Sequence, residues 1–448
     1  MRRTGLSAAI LALGLSGCAH YAPAPPHPAQ FVAELDARRL EEKPLGAVWT
    51  TAELLSEAIG RNPQIAEAHA KYLAALAAAR AAKSPPGPSL TLTAEYASEA
   101  PRWGYSGAGD IPLDFGTRRS VRVTTAQLQA LQAFYDYGET IWSVRTDLER
   151  ARSDLTAAQQ EITLATVAVA VRGRRASRIE DRVKAGQDAR PALILARTEL
   201  STANGRLAAA NGRLKTAVDD LAKALGVSPA VARPLALAPA PWGLTDMKPL
   251  PVWRRDAATS RRDVLRAIAD YDLAEQALRL EIANQYPSVS LGPAYNYDHG
   301  VTKLPFGLSL ALPPWDLNRR AIAQAEATRA AAGRSLELAQ ANALAAVDAS
   351  TAALSVAQTD FFRNRDRDAP LARGAANLAA RSLKAGETDR VDELAAEGAA
   401  ADAELAANDA RHVATGAFVD FEDAIRRSSD AAETAVIEKA MTEAGRAR

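Results

Sequence analysis

The chain has little of what enzyme sites and broad globular cores are built from. Its 448 residues include one cysteine, three methionines and five histidines. The histidines (His20, His27, His69, His299 and His412) stand far apart and give no metal-ligand spacing. No phosphate-binding glycine loop or nucleophile motif occurs, so the sequence reads as a non-enzyme, with no metal or other cofactor. One cysteine cannot form an internal disulfide framework. Aromatics are only 5% of the residues, too few for a wide core, while alanine is abundant and suits closely packed helices. A net charge of +1 gives no bulk attraction to nucleic acid. Beyond the leader no apolar run reaches the roughly 18 residues that a spanning helix needs.

What the chain does have, it has twice. Lys184-Ala185-Gly186-Gln187, followed by Arg190, returns as Lys384-Ala385-Gly386-Glu387, followed by Arg390. Pro88-Ser89-Leu90-Thr91-Leu92 returns as Pro287-Ser288-Val289-Ser290-Leu291, and Pro112-Leu113-Asp114-Phe115 as Pro314-Trp315-Asp316-Leu317. Order and offset are kept, so the chain is two copies of one unit. The expected division is a signal segment 1–17, an N-terminal extension 18–49, a first repeat 50–227, a linker 228–259, a second repeat 260–427 and a tail 428–448.

Arg2 and Arg3 precede an apolar run from Leu6 to Leu15, which reads as a secretory signal rather than a spanning helix. Leu15-Ser16-Gly17-Cys18 resembles the bacterial lipobox, a resemblance that implies cleavage before Cys18 and a covalent lipid on its thiol. Ala19 stands where lipoproteins retained in the inner membrane commonly carry aspartate, which favours the outer membrane. The proline-rich stretch 23–28 reads as an extended spacer.

From Phe134, apolar residues recur every seventh position through Ile141, Leu148, Leu155, Ile162 and Val169, with Val144, Ala151, Ala158 and Ala165 three residues on. This seam predicts a helix over about 118–182, about 95 Å long. Leu193, Leu200, Leu207, Leu214 and Leu221, against Ala196, Ala203, Ala210, Ala217 and Ala224, predict another over 191–225, ended by Gly226. Gly186 and Gly386 each mark the tip of a helical hairpin. Residues 51–83 and 191–225, end to end, match one long helix; 260–285 and 390–427 match 319–383, which Pro370 should kink.

Period-two alternation marks the strands. Leu90, Leu92, Ala94 and Tyr96 share one face; Ile111, Leu113 and Phe115, then Val289, Leu291 and Tyr295, then Phe306, Leu308, Leu310 and Leu312 repeat the pattern. The expected hairpins span 88–116 and 287–314. With the helices occupied by each other, the apolar strand faces suit lipid. Tyr96, Trp103, Tyr105, Tyr295 and Tyr297 suit the outer membrane interface, Phe115 and Trp315 the inner one. Four strands cannot close a barrel and open edges are not tolerated in hydrocarbon, so several chains must pool their strands.

On these repeats, tips, strands and passages, residues 50–427 resemble the TolC family of outer membrane efflux proteins; the passages also resemble the heavy-metal branch represented by CzcC. The resemblance implies a mainly α protein with a small β part. In it, long antiparallel coiled-coil helices form a periplasmic α-barrel, and four strands per protomer join a trimeric 12-stranded transmembrane β-barrel. It implies a homotrimer in outer membrane lipids, serving as the exit duct for a periplasmic adaptor protein and an inner membrane pump, of RND type. It carries adaptor docking onto Ala185, Gly186, Gln187, Ala385, Gly386 and Glu387, and a periplasmic gate onto Asp392. A second gating position of the family falls on Ala395, a departure. The alternative reading is a lipid-anchored coiled-coil scaffold without a pore.

Overall fold

The computed structural model describes residues 21–44, 47–98, 100, 102–114, 116–238, 249–298 and 300–446. The backbone divides into two units, Met1–Arg39 and Leu40–Arg448. The described part of the first holds one helix, α1 (Pro28–Ala37), which buries no side chain. The signal segment and Cys18 lie outside the described residues.

The second unit is mainly helical with a small antiparallel sheet. Its first repeat runs α2 (Thr51–Arg61), α3 (Pro63–Ala81), β1 (Ser89–Tyr96), β2 (Trp103–Pro112), α4 (Thr117–Lys184) and α5 (Arg190–Leu225). The short α6 (Pro229–Ala232) and then α7 (Leu250–Ser260) follow. The second repeat runs α8 (Arg262–Ala283), β3 (Ser288–Asp298), β4 (Val301–Lys303), β5 (Phe306–Ala311), α9 (Arg319–Arg363), α10 (Ala369–Ala385) and α11 (Arg390–Ile425); α12 (Ala431–Gly445) closes the chain.

The seam residues of α4 are buried through Ile141, Leu148 and Leu155, with Val144, Ala151, Ala158 and Ala165 beside them. Past Ala158 the burial moves onto the small residues: Ala165 and Ala168 stay buried while Ile162 and Val169 are half out. Such a shift is expected where a straight helix drifts against a strict seven-residue repeat. In α5 the alanines carry the contact. Ala196, Ala203, Ala210, Ala217 and Ala224 are buried, whereas Leu193, Leu200, Leu207 and Leu214 straddle the edge.

The helix expected over 51–83 is two helices. Proline has no N–H and drives the residue before it out of the helical region, so Asn62 is extended and Pro63 restarts the helix. Asn62 then serves two ends at once. Its Oδ1 accepts from the Gln64 N–H at 2.8 Å, capping α3, and its Nδ2 donates to the Ala224 carbonyl at 2.8 Å, near the end of α5. Gly226, left-handed at φ 71°, lets α5 stop against this break: a Cβ there would sit 2.6 Å from the Arg61 carbonyl oxygen. The second repeat makes the same joint with other residues. Arg261, preceding α8, donates to the Ala424 carbonyl at 2.6 Å, and Arg426 takes the left-handed position.

The stretch expected to kink at Pro370 is interrupted just before it. Residues Asn364–Asp368 form a π-helical turn in which the Ala369 N–H donates to the Asn364 carbonyl. The wider turn precedes the residue that cannot donate.

The segments expected as linker and tail both carry helices. The linker 228–259 contains α7, which packs on α8, α9 and α11 and buries Trp253 against Phe421. The tail 428–448 contains α12, which packs on α2 and α4. Buried charge ties it there. Arg145 of α4 is 2% exposed, and its guanidinium donates to Glu422 of α11 at 2.5 Å and to Glu433 of α12 at 2.7 Å. Glu149 and Arg152, paired at 2.5 Å, are buried alongside.

Candidate functional site: the sheet face and the hairpin tips

The sheet orders its strands β1-β2-β3, with β4 and β5 both on the outer edge of β3, all antiparallel. β4 and β5 keep one register: Asn296 pairs Lys303 and Pro293 pairs Phe306, and the Ala294 N–H donates to the Pro305 carbonyl between them. They are one strand nicked at Leu304-Pro305, so the expected four strands are present. The Leu113 N–H still donates to Val289 beyond the end of β2; Phe115 lies outside the described residues.

The register puts the apolar side chains on one side. Leu92 faces Gly107, Ile111 faces Leu291, and Leu291 faces Leu308. On the other side lie Thr91 against Ala108, Thr93 against Ser106, and Ser290 against Ser309. A Cβ on Gly107 would come within 3.2 Å of Leu92, so glycine there makes room for the apolar row. Among the described residues no helix packs on either face. Leu92 is 75% exposed and Leu308 61%. Among the described residues the outer edges of β1 and of β4–β5 are unpaired.

The expected aromatic band gathers at one end of this sheet. Tyr96 meets Trp103 edge-on at 5.1 Å between centroids, Trp103 stacks on Tyr105 at 6.2 Å, and Tyr105 pairs Tyr297 across strands. Trp315, after β5 at the opposite end, is fully exposed. Here the residues that lead from each strand pair into the next long helix have a structural task that the sequence reading missed. Arg118 donates to the Tyr286 carbonyl at 2.5 Å, and Arg122 to the Ala82 and Ser84 carbonyls at 3.1 and 3.2 Å. These arginines satisfy carbonyls at the ends of α8 and α3, which have no helical partner. In the second passage Asn318 donates to the Glu281 carbonyl at 2.8 Å.

At the far end of the long helices both tips close alike. Gly186 and Gly386 are left-handed at φ 72° and 75°. The Gln187 N–H reaches back to Arg182, and that of Glu387 to Ser382. Ala185, Gly186, Gln187, Ala385, Gly386 and Glu387 are all exposed. A Cβ on either glycine would touch nothing within 4 Å, so glycine serves the backbone angle and not packing.

Asp392, in the first turn of α11, is exposed; its N–H, with that of Val391, is capped by Asp389 Oδ1 at 3.0 and 2.8 Å. These backbone donors, and Arg182, hold the Asp389 carboxyl below the usual carboxylate range. The neighbouring Glu393 is buried and paired with Arg390. Arg182, at the end of α4, joins the two hairpins: it pairs with Asp188 of the first tip at 2.9 Å and with Asp389 of the second. A partner 207 residues away leaves no local pattern to read. Replacing Arg182 with alanine is expected to broaden the distance between spin labels at residues 187 and 387. An unchanged distribution would mean that helix packing alone holds the tips together.

Residues 54–227 match the family model described as outer membrane efflux protein. The fold is similar to that of the outer membrane protein VceC from Vibrio cholerae, 18% identical over 85% of this chain and 97% of that one, with a TM-score of 0.69. It is also similar to the CmeC outer membrane channel of Campylobacter jejuni, at 12% identity, 94% and 98% coverage and a TM-score of 0.71. The open state of the Neisseria gonorrhoeae MtrE outer membrane channel matches at 16%, 84%, 89% and 0.68. A comparison with curated protein sequences finds no match.

Proposed function

Because residues 54–227 match the outer membrane efflux protein family model, and most of the chain is similar in fold to outer-membrane channels, we propose an exit duct in the outer membrane. The duct passively conducts small molecules delivered by an inner membrane pump, of RND type, through a periplasmic adaptor. One observation carries this reading: a sheet with one apolar face that no described residue covers, and two edges unpaired among the described residues. In water both features are liabilities. In a bilayer the apolar face is solvated by lipid, and the edges are satisfied if sheets of several chains join and close. Three copies with four strands each make a twelve-stranded barrel, and their paired hairpins make the periplasmic tunnel. Lipid on Cys18 anchors each copy, and the exposed residues around Gly186 and Gly386 are where the adaptor docks.

The purified protein in a planar bilayer tests this reading. Conductance that requires the trimer is expected, and its absence would overturn the duct. At the tunnel mouth three copies of Asp392 form a negative ring that holds cations and hinders anions. Asp392→Ala is therefore expected to raise conductance and weaken cation preference. If neither changes, Asp392 is an ordinary solvated carboxylate.

A further inference from the structure

We propose that the cavity between α4, α8 and α12 binds a small organic monoanion with an aromatic body, held by the guanidinium of Arg262. The cavity is about 710 Å³, and its apolar wall includes Phe134, Tyr135, Leu265, Ile437 and Met441. Four arginines line it, and they are not equivalent. Arg261 is held by Asp263 at 2.7 Å and Arg426 by Glu139 at 2.6 Å. Arg427 is exposed. Arg262 is half-buried, and among the described residues no carboxylate or carbonyl accepts from it.

The site has been shaped around that side chain. Arg262 lies over Gly138 of α4, where a Cβ would come within 2.7 Å of its Nε and 2.9 Å of Met441 Cε. Glycine is disfavoured inside a helix, yet α4 carries it at the one place where Arg262 and Met441 cross. Burial pushes the Arg262 guanidinium below its ordinary pKa; Glu139 opposes this and Arg426 adds to it. Glu139 is engaged by Arg426 and is not a dedicated partner. A partly desolvated guanidinium with a planar fork of donors favours a carboxylate or sulfonate, which accepts two bonds side by side. The apolar wall suits a ring attached to that group. Asp256 and Glu438 also line the cavity and disfavour a second negative charge. The site lies outside the sheet and the tips and does not depend on pore formation.

Titration calorimetry on the full-length protein in nanodiscs, with naphthalene-2-sulfonate as probe and uncharged naphthalene-2-methanol as control, tests the proposal. Saturable binding of one sulfonate per chain is expected, with Arg262→Gln weakening it at least tenfold. Leu265→Trp, which fills the cavity and removes no charge, is expected to abolish it. Binding retained in either variant, equal binding of the uncharged probe, or no saturable binding at millimolar concentration would overturn the site.

Discussion

Replacing Arg145 with methionine is expected to free the C-terminal helix from the rest of the protein. Arg145 is the only cation in direct contact with Glu422 and Glu433 among the described residues, and both carboxylates are buried. Ser428 and the Ser429 N–H complete their hydrogen bonding but bring no charge. Removing one partner of a buried pair leaves an uncompensated charge and costs about 3–5 kcal/mol. Here two carboxylates lose the same partner. Hydrogen exchange in residues 431–445 should rise sharply and thermal unfolding should begin earlier. Arg150→Met is the control: its pair with Asp420 at 2.8 Å is exposed, and such pairs contribute about 0–1 kcal/mol. If Arg145→Met melts as Arg150→Met does, the buried cluster is not what docks α12.

The same cluster predicts a pH dependence. Two arginines, Arg145 and Arg152, share the site with three glutamates, Glu149, Glu422 and Glu433, so one carboxylate is in excess. Burial pushes the Glu433 carboxyl up to about 7; Arg145 opposes this, and Glu149 adds to it. Burial alone would depress the Arg145 guanidinium, but Glu422, Glu433 and Glu149 outweigh it and hold it charged. The folded state therefore binds the Glu433 proton more tightly than the unfolded chain, whose value is near 4.5. Its stabilising contribution is full below about pH 4.5 and is lost as the pH rises through about 7. Glu433→Gln should flatten the dependence of Tm on pH across that window, and an unchanged slope would assign the titration elsewhere.

How much of this was legible in the sequence depends on how local each cause is. Helix seams repeat every seven residues, strand faces every two, and the tips need a left-handed glycine, so all three can be read within short windows. The Asn62 joint was legible in principle, since Asn-Pro is a helix-start signal, but the apolar pattern ran across it and hid it. The π turn before Pro370 is a further step: proline announces an interruption without saying how the backbone absorbs it. Arg145, Glu422 and Glu433 were not legible. By residue type they belong on a solvated face, and their partners lie 277 and 288 residues away. Arg182 at the tips escaped for the same reason. Gly138 gave a weak signal as a glycine inside a heptad pattern, and Arg262, the residue that explains it, is remote in sequence.

The sheet supplies the sharpest separation between a membrane duct and a water-exposed scaffold. Leu92→Arg places a charge on the apolar face, and Thr91→Arg places the same charge on the opposite face one residue away. In water the two substitutions are nearly equivalent, because both positions are exposed in the single chain. In a closed barrel they are not. Arginine on the lipid side near the midplane costs about 2–4 kcal/mol, and on the lumen side little. A trimer carries the penalty three times, so Leu92→Arg is expected to remove most of the assembled trimer from the outer membrane fraction while Thr91→Arg leaves it near the wild-type level. Leu308→Arg, on the apolar face of the other hairpin, should repeat the loss. If all three variants assemble equally well, the apolar face does not meet lipid, and the duct fails as a reading whatever the helices resemble.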